Sequence, residues 1–164
     1  MSDAAVKVNA SERDAIESML TDYCHCLDDA QWDDWPAYFT EDGVYKILTR
    51  DNHEAAMPLG VMYCDGRGMM QDRMLALQTA NVFEPHTYCH TISRPRLDVD
   101  AASQSIRGRT NFNVIRTMQS GGMEIFAAGK YLDHFALNGE QVLLRERLVI
   151  LESRRVDILL VAPL

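Results

Sequence analysis

The stretch "MEIFAAGKYLDHFAL", residues 123–137, is preceded by "GG" at 121–122 and followed by "NG" at 138–139. Glycine supplies the positive φ that tight hairpins need, and Asn-Gly is the stronger of the two signals. The segment is therefore read as a strand entered and left through hairpins. After it, "QVLLRERLVIL" (141–151) has the β-branched and leucine-rich character of another strand. Before it, residues 105–117 alternate with period two. Ile106, Thr110, Phe112 and Val114 face one way, and Arg107, Arg109, Asn111 and Asn113 the other. Residues 86–99 are also strand-like, with an interruption at Pro95. The C-terminal half thus reads as a long antiparallel meander.

The N-terminal half has a different period. From Ser11 to about Asp29, Ile16, Met19, Leu20, Tyr23 and Leu27 form one apolar stripe at helical spacing. Ser11 with Asp14 predicts a capping box at the start of that helix. "QWDDWPAYF" reads as a second, shorter helix with Trp32, Trp35 and Phe39 on one side, and Pro36 is tolerable only in its first turn. "TEDG" (40–43) is turn chemistry, "VYKILTR" (44–50) a strand, and "DNHE" with Pro58 a loop. "LGVMYC" is a short strand, and "DGRGMMQDRMLALQTA" contains a third helix with Met70, Met74 and Leu77 aligned. Helices and a short strand unit followed by a meander make an α+β order, not the alternation of a parallel sheet. No internal repeat or linker interrupts it. Residues 1–164 are expected to form one domain, with residues 1–10 flexible.

Bulk composition narrows the function. At 164 residues and 47% hydrophobic, the chain can bury a real core. No apolar run approaches the roughly 20 residues needed to span a bilayer. The polar "MSDAAVKVNASERD" has no apolar segment of a secretory signal. A formal net charge of −8, with scattered Lys and Arg, argues against nucleic-acid binding. Cys24, Cys26, Cys64 and Cys89 lack disulfide-framework spacing, so a reducing, cytoplasmic setting is expected.

Two features suggest association. The strand over 123–135 is mixed or apolar on both faces: Ile125, Ala127 and Tyr131 on one, Phe126, Ala128 and Leu132 on the other. A lone antiparallel sheet usually leaves one face polar. The ending "VDILLVAPL" is an apolar tail that would be a liability if exposed. Burial against other subunits accounts for both features, and deep burial within the chain is the competing account.

"EPHTYCH" (84–90) invites a metal reading. On a strand, however, His86 and His90 share a face but lie about 13 Å apart, at roughly 3.3 Å per residue. Cys89 points away from both. Cys24 and Cys26, flanking His25, diverge by about 200° on a helix with about 3.6 residues per turn. His53 and His134 have no local partners. No P-loop, dinucleotide fingerprint, metalloprotease motif or nucleophile elbow appears. The four cysteines do not pair with histidines in the manner of a Rieske cluster. No metal and no cofactor is therefore expected in this chain. Acid–base chemistry remains: Tyr23, Tyr38, His90, Tyr131 and Asp133 can line an apolar pocket, with a histidine and an aspartate as base and tyrosines as donors to an oxyanion. The favoured alternative is that these residues are core or interface groups satisfying one another.

The ordered segments "LDDAQWDDWPAYFTEDGVYKILTRDN", "YCDGRGMMQDRMLALQTANVFEPHTYCH", "FNVIRT", "EIFAAGKYLDHF" and "LLRERLVILES", running to a final "PL", resemble a known family. It is the β (small) subunit of aromatic-ring-hydroxylating dioxygenases, the bacterial Rieske non-haem iron oxygenases. The resemblance runs from about Glu12 to Leu164, carried by "DDWPAYFTEDGVY", "QDRMLAL" and "GKYLD" in that order. "DNHEA" and "ANVFEPHTYCHTI" look most like small subunits acting on aromatic acids such as terephthalate, benzoate, anthranilate or salicylate.

The resemblance implies a cone-shaped fold of the nuclear-transport-factor-2-like (SnoaL-like, cystatin-like) type. N-terminal helices would pack on a strongly curved, mostly antiparallel sheet. It implies an α3β3 assembly with self-association as a trimer. The α subunit would carry the Rieske [2Fe–2S] cluster and a mononuclear iron, and the β subunit would be mainly structural, with no catalytic residues of its own. No nucleic acid and no membrane are expected as partners. The alternative is a free-standing isomerase, dehydratase or cyclase of the same fold, with His90, Asp133, Tyr23 and Tyr131 as its site.

Overall fold

A computed structural model describes residues 7–164, apart from 59, 81–82, 101, 104, 140 and 157–159. Helix α1 runs Ala10–Asp28 and buries Ile16, Met19, Leu20, Tyr23 and Leu27, the stripe expected from the sequence, together with Cys24 and Cys26. Its cap differs from the expected Ser11. The Asn9 side chain accepts from the Glu12 amide, and Glu12 accepts from the Asn9 amide, so the reciprocal box sits two residues earlier. Asn9 and Ala10, read from sequence as part of a flexible lead, thus cap and open this helix, while residues 1–6 lie outside the described residues.

The expected second helix is reduced to a 3₁₀ turn, Trp35–Tyr38. Pro36 at its start leaves one turn before the chain extends into strand β1, Phe39–Thr49. "TEDG" is not a separate turn. It bulges within β1, where Phe39 pairs with Leu144 and Val44 with Glu146. The "DNHE" loop holds a short helix α2, Arg50–Glu54, capped by Thr49. Strand β2 is Met62–Asp65, and helix α3, Arg67–Thr79, buries Met70, Met74 and Leu77 as its spacing predicted.

The remaining strands are β3 (His86–Ile92), β4 (Arg96–Asp100), β5 (Ser105–Met118), β6 (Met123–Asn138) and β7 (Gln141–Leu151). They form one sheet in the order β2-β1-β7-β6-β5-β3, with β4 also on β5. Every pairing is antiparallel except the parallel β1–β7. Both glycine signals hold: Gly121 and Gly139 take φ of +90° and +65°. The sheet curls around α1 and the Trp35–Tyr38 turn to make the cone expected of the α+β order. Its interior is aromatic, with Trp35, Phe39 and Tyr45 packed edge to face and Phe112 stacked on Tyr131 at 4.3 Å.

Two β-bulges decide which side chains enter the cone. Ile115 pairs with Ile125 but Val114 pairs with Ala127, so Phe126 is the extra residue. Alternation slips there: Phe126 stacks on Tyr88 and Ile125 is 75% exposed, not aligned with Tyr131 as strict alternation predicted. In β7, Phe135 pairs with Leu144 and His134 with Glu146, leaving Arg145 as the extra residue. Leu144 and Arg147 consequently both point inward and are fully buried.

The apolar tail also differs from the expected contact with other subunits. Ala162, Pro163 and Leu164 are buried in this chain's own cone, while Asp157, Ile158 and Leu159 lie outside the described residues. Among the described residues no helix is long and apolar enough to cross a membrane.

Candidate functional site

Three of the sequence-predicted site residues meet inside the cone. Tyr23 comes from the buried face of α1, and Tyr131 and Asp133 come from the inner face of β6. A residue not predicted, Arg147, joins them. Its Nε and Nη2 each donate to the Asp133 carboxylate at 2.8 Å, and both side chains are 0% exposed. The guanidinium carbon also lies 4.1 Å from the ring centroids of both Tyr23 and Tyr131. Burial pushes the Asp133 carboxyl up, against the pull of Arg147. Desolvation pulls the Arg147 value down, but the charge and hydrogen bonds of Asp133 together with Tyr23 and Tyr131 outweigh it and hold the guanidinium charged. The bidentate fork makes this a stable ion pair rather than a free base.

The Tyr23 and Tyr45 hydroxyls are also engaged. Trp35 Nε1 donates to the Tyr23 hydroxyl at 3.0 Å, and that hydroxyl donates to the main-chain oxygen of Leu164 at 3.1 Å. The Tyr45 hydroxyl donates to the same oxygen at 3.1 Å and accepts from the Leu164 amide at 2.8 Å. Burial pushes the Tyr23 phenol up to about 12 and those of Tyr45 and Tyr131 well above 10. They are donors, not bases.

His90 is not part of this group. It sits on β3, and its Nδ1 lies 2.6 Å from Asp28 Oδ1, at the C-terminal end of α1. The same carboxylate accepts from the His90 amide at 2.9 and 3.1 Å, so one aspartate fastens α1 to β3. The His90 Nε2 is buried without a hydrogen-bond partner. Tyr38 packs edge-on to Tyr23 at 5.5 Å and faces an outer groove. Burial, followed by the nearby Cys26, Asp22 and Asp34, pushes its phenol up to about 12.

The larger concavities lie elsewhere. A groove of about 580 Å³ runs between α1, the Trp35–Tyr38 turn and the start of β7, and another of about 550 Å³ lies on the outer face beside Lys46 and Leu148. Narrow spaces of about 20 and 50 Å³ flank the tail. Tyr23, Tyr131, Asp133 and Arg147 line none of these four.

The metal alternative has a geometric answer. His86 and His90 share one face of β3 four residues apart, while Cys89 is exposed on the other. Among the described residues no three His, Cys, Asp or Glu side chains converge to hold a metal ion.

Asp28, Arg147, Tyr45 and Leu164 escaped the sequence reading. Strict alternation from Leu144 places Glu146 inside the cone, and only the bulge at Arg145 turns Arg147 inward. Asp28 is one of several acidic residues near a helix end, and nothing local in the sequence marks it as the partner of His90.

Comparison with known proteins agrees with this architecture. A family model for a SnoaL-like domain matches residues 8–147. The β 1 subunit of the terminal oxygenase component of terephthalate 1,2-dioxygenase from Comamonas is 34% identical over 142 residues, covering 87% of this chain and 92% of that protein. The small subunit of anthranilate 1,2-dioxygenase from Burkholderia cepacia is 32% identical, covering 87% and 88%. A crystal structure of a candidate aromatic-ring-hydroxylating dioxygenase β subunit from Novosphingobium aromaticivorans superposes with a TM-score of 0.83 at 35% identity, covering 93% and 96%.

Proposed function

Because the chain belongs to the SnoaL-like family and, within it, to the β subunits of aromatic-ring-hydroxylating dioxygenases, we propose that it scaffolds a large α subunit which hydroxylates an aromatic acid. The chain adds no catalytic residue of its own. Its partner carries the Rieske [2Fe–2S] cluster and the mononuclear iron, the complex is an α3β3 hexamer built on a trimer of this chain, and the setting is the cytoplasm. The observation that carries this reading is the filled cone. Asp133 is committed to Arg147, and the Tyr23 hydroxyl to Leu164, in the place where a pocket enzyme would need an open cavity. An aromatic acid as substrate is supported by the relatives that act on terephthalate and anthranilate.

The test is the mass and iron content of the complex recovered from the native cell through an N-terminal tag. A stoichiometric larger partner with iron and acid-labile sulfide is the expected result. An iron-free homo-oligomer without a partner refutes it. The partly buried Asp28–His90 pair, with Nε2 unengaged, favours the alternative of a free-standing isomerase, dehydratase or cyclase. That reading requires His90→Ala and Asp133→Asn to abolish turnover while leaving the fold intact.

A further inference from the structure

Large apolar side chains stand exposed at two places on the outer face of the sheet. One is the β5–β6 hairpin, where Met123 and Ile125 are 68% and 75% exposed. The bulge at Phe126 turns Ile125 outward, in line with its cross-strand partner Ile115 and with the exposed Cys89 on β3. The other is the groove of about 550 Å³ over β1 and β7, whose wall includes Leu48, Leu148, Met57 and Tyr63. Met57 and Tyr63 are 49% and 46% exposed there. Single exposed apolar residues are ordinary, but contiguous apolar surface marks an interaction site.

Geometry and charge together select a second copy of this chain as the occupant. Leu132 pairs with Leu148 at the groove, and it stands seven residues along β6 from Ile125. At about 3.3 Å per residue the two surfaces lie roughly 20 Å apart, so one chain cannot bring them together. Both are close to neutral on a chain of net charge −8. In the groove Lys46 and His53 stand against Glu146, and at the hairpin Glu124 is paired with Arg116. Copies of an acidic chain repel one another, and they repel least where neutral, apolar surfaces meet. Residues 119–125 are exposed throughout, so the hairpin stands out from the sheet while the groove recedes. Each surface therefore fits the other better than it fits itself.

We propose that the β5–β6 hairpin of one copy seats Met123 and Ile125 in the outer groove of the next. Joining two different surfaces makes the contact heterologous, the kind that closes into a ring rather than a two-fold pair. This contact rests on the proposed trimer of the chain and supplies the two surfaces that build it. The filled interior of the cone takes no part.

The test is the mass of the full chain, by light scattering after gel filtration. It is measured for the unaltered protein, for Ile125→Asp, for Met57→Asp, and for an equimolar mixture of the two variants. Both substituted side chains are exposed, so the variants keep the thermal unfolding of the unaltered chain. The unaltered chain runs at three times its 18.6 kDa, and each variant, weakened in association by at least about tenfold, runs as a monomer. The mixture forms a dimer. The intact hairpin of Met57→Asp enters the intact groove of Ile125→Asp, and the two surfaces left over, both altered, stop growth at two. A monomeric unaltered chain overturns this contact and the proposed trimer together. A trimeric unaltered chain with either variant still trimeric overturns the contact alone. So does a mixture that stays monomeric, because the two surfaces then do not meet each other. If an aspartate variant does not fold, Ile125→Ser or Met57→Ser takes its place with the same outcomes.

Discussion

Replacing Asp133 by alanine removes one half of an ion pair whose two side chains are 0% exposed. Arg147 cannot escape by losing its proton, because a guanidinium stays protonated in proteins even when buried. The guanidinium is therefore stranded in the cone, at a cost of about 3–5 kcal/mol. The contacts of Arg147 with Tyr23 and Tyr131 persist in both forms and cancel from the difference. For a chain of this size the loss corresponds to a melting temperature lower by roughly 6–20 °C. The reciprocal change, Arg147→Met, behaves differently. It strands a carboxylate that can take up a proton, and burial already pushes that carboxyl up. Without the guanidinium the folded-state pKa of Asp133 rises further above its unfolded value. Folding is then favoured most below the unfolded pKa, and stability is lost as pH rises through the folded one, by about 1.4 kcal/mol per pH unit. Urea denaturation at pH 5 and pH 7, compared through midpoints at constant m, separates the two variants. Asp133→Ala should show a deficit nearly independent of pH, and Arg147→Met one that grows toward pH 7. The double variant Asp133→Leu/Arg147→Met should recover most of the loss, because an apolar pair strands no charge. A deficit below about 1 kcal/mol for Asp133→Ala, or a pH-independent one for Arg147→Met, would refute the buried-pair account.

Two further perturbations probe the sheet and the buried titrating groups. A Cβ on Gly129 would lie 1.9 Å from the Ile150 carbonyl oxygen, so Gly129→Ala should force β6 off β7 and cost more than about 3 kcal/mol in thermal unfolding, whereas Gly68→Ala, with nothing within 4 Å, should gain about 0.5–1 kcal/mol. At alkaline pH, Cys24 and Tyr23, with ordinary values of 9.0 and 10.0, are both pushed up to about 12 by burial; the unfolded chain gives up these protons first, so stability should fall by about 1.4 kcal/mol per unit from about pH 9 to 12 through Cys24 and from about pH 10 to 12 through Tyr23, and a flat urea midpoint across that window would contradict it.

Much of the architecture was legible because it rests on local periodicity. The α1 stripe from Ile16 to Leu27, the α3 stripe of Met70, Met74 and Leu77, and the hairpin glycines 121 and 139 each act within a few residues. Where a neighbour could substitute, the reading slipped: Asn9 took the cap from Ser11, and Pro36 left one turn of the expected second helix. Of the candidate site, Tyr23, Tyr131 and Asp133 were nameable, since a buried polar residue on an apolar strand face stands out. Their partners were not.

The amino-acid order by itself determined the α+β order, the meander, the helix faces and the likeness to a dioxygenase small subunit, because period and turn chemistry are properties of short segments. Tertiary structure alone decided that Arg147 turns inward, that Asp28 meets His90 across 62 positions, and that Leu164 reaches Tyr45 across 119. A β-bulge reverses which side chains face the core without leaving a mark in alternation, and contacts between distant segments exist only once the sheet has curled to bring them together.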